Sequence, residues 1–201
     1  MEKVNALSTS EGLLYQLYMG ADKYNHKYIT ETQIRGWYIG YKEATKIFPA
    51  DILTPMVQDM GKLLCRSIIQ GQIYPTDVEW CVGAASESPV SYLMDFNEVT
   101  SIDWSYPYRS IISKIASDMA NEPYWPLNDS KYPFGELFWD SFQEEAETLQ
   151  GELEDGTLLE LAKNTASIED FDIELFAMSI SGKFDELMRQ KLKNKQEMNE
   201  N

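Results

Sequence analysis

Residues 136–174 read ELFWDSFQEEAETLQGELEDGTLLELAKNTASIEDFDIE, and this stretch decides how the rest of the chain is interpreted. It holds thirteen carboxylates and one basic residue, Lys163, so it carries a charge of −12 out of the −16 of the whole chain. Large apolar side chains recur within it at helical spacing, as in Phe138, Phe142 and Leu149. This period predicts amphipathic helices with one face in the core and an acidic face outside.

Two glycines, Gly151 and Gly156, are predicted to break the acidic stretch, because glycine is a poor helix former. A turn is expected over 152–156 and further helices over 157–163 and from Ser167 onward. A wholly helical stretch would be about 58 Å long, with one carboxylate per about 4.5 Å. A single DNA strand carries one charge per about 3.4 Å, so a bent acidic array of this kind has a charge density comparable to that of nucleic acid.

The rest of the chain shows the start signals and the apolar period of helices. Further helices are predicted after Ser8, Thr30, Thr54-Pro55, Ser88-Pro89 and Pro107. Residues 76–86 fit a short helix or a strand equally well. The predicted fold class is all-α: a single helical domain of roughly seven to nine helices over residues 1–182, then a charged C-terminal helix or tail over 183–201. One short strand pair is allowed near residues 76–104.

Composition limits the kinds of partner and compartment. A pI of about 4.4 argues against direct binding to nucleic acid or to an anionic membrane, because like charges repel. The only cysteines, Cys65 and Cys81, have a spacing that matches no metal or redox pair, which favours reduced thiols. The first twelve residues lack the features of a signal peptide, and no run approaches 18 apolar residues. A cytoplasmic protein that does not bind membranes is therefore expected.

Common catalytic chemistry finds little support in the sequence. His26 is the only histidine, so paired histidine ligands and most nucleophile–histidine pairs are excluded. Glycine-rich nucleotide motifs and the nucleophile elbow are absent, and Asp170–Glu174 does not fit a calcium loop. No catalytic residue, metal ligand or cofactor is predicted, and the protein is interpreted as a non-enzyme. An enzyme of unknown class with a site between Trp80 and Asp103 is kept as an alternative.

The remaining signal is a surface on which aromatic side chains lie close to many carboxylates. Such a surface is typical of a protein–protein hot spot that faces a basic partner. The predicted partner-binding residues are Tyr124, Trp125, Tyr132, Trp139, Asp140, Glu144, Glu145, Glu147, Glu152, Glu154 and Asp155.

The functional hypothesis is an acidic binding module that occupies a basic, nucleic-acid-binding type of surface on another protein, such as a nuclease. Inhibitors, immunity or anti-defence proteins and nucleic-acid mimics act in this way. The other interpretation is a structural or assembly subunit that forms a homo-oligomer through its aromatic surface. The salt dependence of association distinguishes the two, because exposed ion pairs are screened by salt and apolar contacts are not.

Overall fold

Five helices of seven residues or more are present among the residues that the structure, a computed structural model, describes. Those residues are 14–18, 38–40, 44–46, 48–85, 88–122, 124–129, 134–168 and 170–199. The helices are α1 (Ala50–Ile69), α2 (Tyr108–Asn121), α3 (Gly135–Glu154), α4 (Leu159–Thr165) and α5 (Ile173–Asn199). They make up most of the regular structure, but the described residues do not contain the seven to nine helices predicted.

Within the described ranges six strands form two sheets, so the all-α fold class was wrong. The strands are β1 (Leu14–Tyr18), β2 (Tyr38–Gly40), β3 (Ile73–Tyr74), β4 (Glu79–Ala85), β5 (Ser88–Met94) and β6 (Thr100–Ser101). The larger sheet has the order β2-β1-β4-β5, in which only β1 and β2 run parallel, and β3 pairs with β6. The strand pair allowed near residues 76–104 exists as the β4–β5 hairpin, but it is half of a four-stranded sheet.

Three predicted helices contain strands in the part that the structure describes: β1, β2 and β5. The helix predicted after Thr30 is a strand at 38–40 and helical at 44–46. The spacing of Leu14 and Leu17 fits one face of a helix, but Leu14 pairs with Gly83 in β4. The apolar pattern of a short segment carries no information about such a distant pairing partner. Pro89 suggested the first turn of a helix, whereas it is the second residue of the edge strand β5, a position that also tolerates proline. The predicted starts after Ser8 and Thr30 lie outside the described residues.

The larger sheet packs one face against α1. Trp80 and Val82 of β4 are fully buried, and their cross-strand neighbours Leu93 and Ser91 lie on the same face. The hydroxyl of Ser91 donates a hydrogen bond to the backbone carbonyl of Met56 in α1, at 3.1 Å. This bond satisfies a buried polar group and fixes the sheet relative to the helix.

Helix α1 begins at Ala50, five residues before the predicted start at Pro55, which lies inside the helix. The predicted end near Gly71 agrees with the observed cap at Gln70. Gly61 lies where α1 crosses α3, and a Cβ atom there would collide with the backbone carbonyl of Phe138. Glycine therefore lets the two helix backbones approach closely at the centre of the core.

Helix α5 closes the other side of the core, against α2 and α3. Phe176 and Phe184 of α5 are fully buried, and the Phe184 ring lies 5.2 Å from the Trp139 ring of α3, between centroids. Gly182, where the sequence was divided, lies inside this continuous helix, while the division into domains stays a prediction. In the described part of the chain, none of the helices has the length and apolar character needed to cross a membrane.

Candidate acidic binding face on helix α3

The acidic residues of α3 divide into an exposed line and a buried pair. Five of them recur at spacings of three, four and seven residues and therefore lie along one side of the helix. These residues, which we call the acidic face of α3, are Glu136, Asp140, Glu144, Glu147 and Glu154, and all are exposed. The opposite side of α3 carries the fully buried rings of Phe138 and Phe142. Burial of these rings fixes the direction in which the carboxylates point.

The acidic face is straight along α3, whereas the acidic stretch of residues 136–174 as a whole is divided among α3, α4 and the start of α5. Gly151 lies within α3, so the predicted break there was wrong, whereas Gly156 adopts a φ of +74° just beyond the helix and does end it. From Glu136 to Glu154 the array is about 27 Å long, with one carboxylate per about 7 Å. A DNA strand carries one charge per about 3.4 Å, so the linear charge density of the acidic face is about half that of DNA. The charge density predicted to be comparable to that of nucleic acid is therefore not reached along α3.

Three carboxylates of the acidic face, those of Glu136, Asp140 and Glu147, form no hydrogen bond or ion pair with the described residues. The other two have weak partners at the surface. Lys62 of α1 lies 3.7 Å from Glu144, with both side chains largely exposed, and the Gln150 amide donates to Glu154 at 2.8 Å. Exposed pairs of this kind contribute little to stability. The acidic face is therefore available to a partner.

Glu145 and Glu152 of the predicted set are used inside the protein. The guanidinium of Arg66, in α1, makes ion pairs with both, through Nε to Glu145 and through Nη2 to Glu152 at 3.0 Å. The Glu145 side chain is only 9% exposed, and its Oε1 atom has no hydrogen bond of ordinary geometry, so its compensation is the ionic contact with Arg66. These two carboxylates join α3 to α1 and do not belong to the exposed array.

The Arg66 cluster also affects the neighbouring thiol. Burial raises the pKa of Cys65 well above its ordinary value, and the negative charge of Glu145 raises it further. For Arg66 itself, burial lowers the pKa, but the hydrogen bond and the charges of Glu152 and Glu145 outweigh this effect, and the net pKa is raised. The guanidinium therefore stays charged, and the thiol stays neutral and unreactive.

Three of the four predicted aromatic anchors are buried. Tyr124, Trp125 and Trp139 are at most 3% exposed: the first two lie in the loop before α3 with their rings in the core, and Trp139 lies on the buried side of α3. Trp139 donates a hydrogen bond from Nε1 to the Pro126 carbonyl at 2.8 Å. Tyr132 lies outside the described residues. The prediction of exposed rings beside the carboxylates is therefore wrong for these three residues, and self-association through an aromatic surface stays a prediction.

Two basic side chains in the C-terminal part of α5 contact carboxylates outside the acidic stretch of residues 136–174. Arg189 contacts Asp129 at 3.1 Å and Asp185 at 3.9 Å, and Lys193 contacts Glu197 at 3.9 Å. Asp155, the last predicted partner-binding residue, is exposed at the end of α3 but lies off the line of the acidic face.

Sequence reasoning missed Lys62 and Arg66, the two basic residues that decide which carboxylates are occupied. No signal in the sequence joins Arg66 to Glu152, since 86 positions separate them. Within the described residues, no group of three or more His, Cys, Asp or Glu side chains could hold a metal ion. The predictions that the protein lacks a metal and a cofactor stay predictions.

Comparison with known proteins gives no relative: no protein-family description, curated protein or solved structure matches this chain.

Proposed function

We propose that this protein is a non-enzymatic binding module whose acidic face on α3 docks against a basic surface of a partner protein. The observation that carries the proposal is the line of five exposed carboxylates, three of which have no partner among the described residues. A line of fixed charges on a rigid helix attracts a surface of opposite charge and orients it before contact. The helix scaffold also keeps the charges in place, so little ordering is needed on binding.

The kind of partner follows from charge rather than from spacing. A net charge of −16 repels phosphates and membranes of anionic lipid but attracts lysine- and arginine-rich proteins. Nucleases and other nucleic-acid-binding proteins carry such surfaces, and an inhibitor or immunity protein that blocks them is the narrower form of the proposal. A spacing equal to that of DNA phosphates is not required, since lysine and arginine side chains are long and flexible.

The test uses a charge reversal that avoids structural residues. Glu136→Lys, Asp140→Lys and Glu147→Lys are combined in one variant, and Glu144, Glu145 and Glu152 are kept because each contacts a basic residue of α1. A tagged chain is used to capture proteins from nuclease-treated native lysate, with washes of rising salt. We expect a basic protein that dissociates between about 0.1 and 0.5 M salt. Its affinity should fall at least about tenfold with the triple variant.

A matched control separates a local effect from the change in net charge. Asp51→Lys, Asp59→Lys and Glu98→Lys alter the charge by the same amount at exposed positions outside α3. The control variant should keep most of the binding, and circular dichroism should show that both variants are folded. Equal loss in the two variants, or capture that survives reversal of the α3 carboxylates, would contradict the proposal.

A further inference from the structure

Helix α5 presents an outer face that no described residue covers. Its buried side is formed by Phe176, Ile180 and Phe184, and the side turned away from the core carries Leu175 and Met178. These two apolar side chains are 55% and 60% exposed, among the highest values for large apolar residues in the described part of the chain. They lie three residues apart, so they form one continuous apolar surface on the helix.

The centre of this outer face allows another backbone to approach closely. Gly182 lies one turn beyond Met178 on the same side of α5, and a Cβ atom placed on it would meet nothing within 4 Å. Packing within one copy of the chain therefore does not require glycine there, although glycine is unfavourable in a helix interior. Glycine in the middle of an exposed helix face is the arrangement that lets two helices cross at short distance.

The charges available on the two sides of Gly182 are opposite in sign. The N-terminal end of α5 carries Glu174 and the C-terminal part carries Lys193, and both are exposed. The only ion pair of Lys193 among the described residues, with Glu197, is long at 3.9 Å, and both side chains of that pair are largely exposed. Glu186, which is closer to Gly182, is already paired with Lys183 at 2.8 Å. Glu174 lies about 12 Å from Gly182 along the axis, and Lys193 lies about 16 Å from it on the other side. If a second α5 crosses antiparallel at Gly182, the acidic end of each helix comes beside the basic end of the other.

From this self-complementary pattern we propose that the outer face of α5 is a self-association surface, on which a second copy of the chain docks antiparallel with Gly182 at the crossing point. Such an interface is isologous, so one set of residues supplies both sides. Leu175 and Met178 lose water against the partner helix, and Glu174 is neutralised by Lys193 of the other copy. This surface is different from the acidic face of α3, so its failure would leave the binding module intact.

Because a two-fold axis places position 182 beside itself, a cysteine there provides a direct test. Gly182→Cys should form an intermolecular disulfide under mild oxidation, seen as a dimer on non-reducing gels. Gly151→Cys is the matched control, since its Cβ atom would also meet nothing within 4 Å but lies on α3. The native Cys65 and Cys81 are buried and will not compete. No cross-linking at 182, or cross-linking at 151 to an equal or greater extent, would overturn the proposal.

A charge exchange tests the direction of docking. In sedimentation of the unmodified chain, a monomer–dimer equilibrium is expected, and Met178→Glu should weaken it at least about tenfold. Glu174→Lys and Lys193→Glu should each weaken it, and the double variant should recover the dimer. An acidic N-terminal end and a basic C-terminal end also stabilise a single helix through its dipole. That effect acts within one copy of the chain, so it would not restore the dimer in the double variant. A chain that stays monomeric at about 0.1 mM refutes the proposal, with circular dichroism confirming that each variant folds.

Discussion

Arg66 shows how one residue separates structural from available carboxylates. Replacing it by methionine leaves Glu145 almost buried without a counter-charge, which is costly. Because the Arg66 side chain is 37% exposed, we expect a loss of about 2 kcal/mol in the free energy of unfolding, below the value for a fully buried pair. Lys62→Met is the control, and it should cost less than about 0.5 kcal/mol because its pair with Glu144 is exposed.

Urea denaturation measures both free energies of unfolding. The combination of Arg66→Met with Glu145→Leu should recover part of the loss, since the buried charge is removed with its partner. Equal effects of Arg66→Met and Lys62→Met would show that the Arg66 cluster has no special role.

At this scale the sequence predicts only half of the site. Glu144 and Glu145 are adjacent, but Glu145 lies three residues after Phe142 and four before Leu149, so the period of α3 places it on the buried face and Glu144 on the exposed side. The period does not show which group compensates the buried carboxylate, because its partner Arg66 is 79 positions earlier. Local patterns contain no information about such a distant partner, whereas the exposure of Glu136, Asp140 and Glu147 follows from the period alone.

At the scale of the elements, the α1–α3 contact depends on Gly61. Gly61→Ala adds a Cβ atom against the backbone of Phe138, which cannot move aside as a side chain could. We expect destabilisation of about 1–3 kcal/mol from the forced separation of the helices. Gly151→Ala, which adds the same methyl group in open space, should stabilise the protein by up to about 1 kcal/mol.

Thermal unfolding of the two alanine variants compares the effects in one experiment. A Gly61→Ala variant that is as stable as Gly151→Ala would mean that α1 and α3 are not in close backbone contact.

The presence of α1, α2 and α3 was predicted correctly, whereas α5 was predicted as two segments starting at Ser167 and divided at Gly182, and the strands of the larger sheet were largely missed. Each of α1, α2 and α3 has one buried face, and the spacing of its apolar residues can be read directly from the sequence. For β1, the deciding interaction is pairing with β4, about 65 positions later. Pairing over such a distance is set by the whole fold, so a short apolar run such as LYQLY is open to either interpretation.

At the scale of the whole molecule, we expect the protein to lose stability at alkaline pH because several ionisable groups are buried in their neutral form. Burial raises the pKa of the Cys65 thiol, of the Cys81 thiol to about 12, and of the Tyr74 and Tyr108 phenols. In the unfolded chain these groups ionise at their ordinary pKa values. The stability they provide is therefore complete below about pH 9 and is lost as the pH rises from there toward the folded pKa values.

The melting temperature should accordingly fall between about pH 9 and pH 11, as circular dichroism can measure. Cys81→Ser removes one of the groups, so the fall should be shallower in that variant. A melting temperature that is constant over this range would contradict the burial of these groups.

Helix α5 also has a consequence for the order in which the chain folds during synthesis. It follows all other described elements along the chain, yet it supplies Phe184 to the core, and the Lys191 ammonium donates a hydrogen bond to the Ala120 carbonyl at the end of α2. At about 5–20 residues per second, the ribosome takes several seconds to add the segment from the end of α3 to the end of α5. Throughout that time the apolar side chains of α2 and α3 that pack against α5 lack this cover, so the nascent chain is exposed to aggregation until α5 emerges.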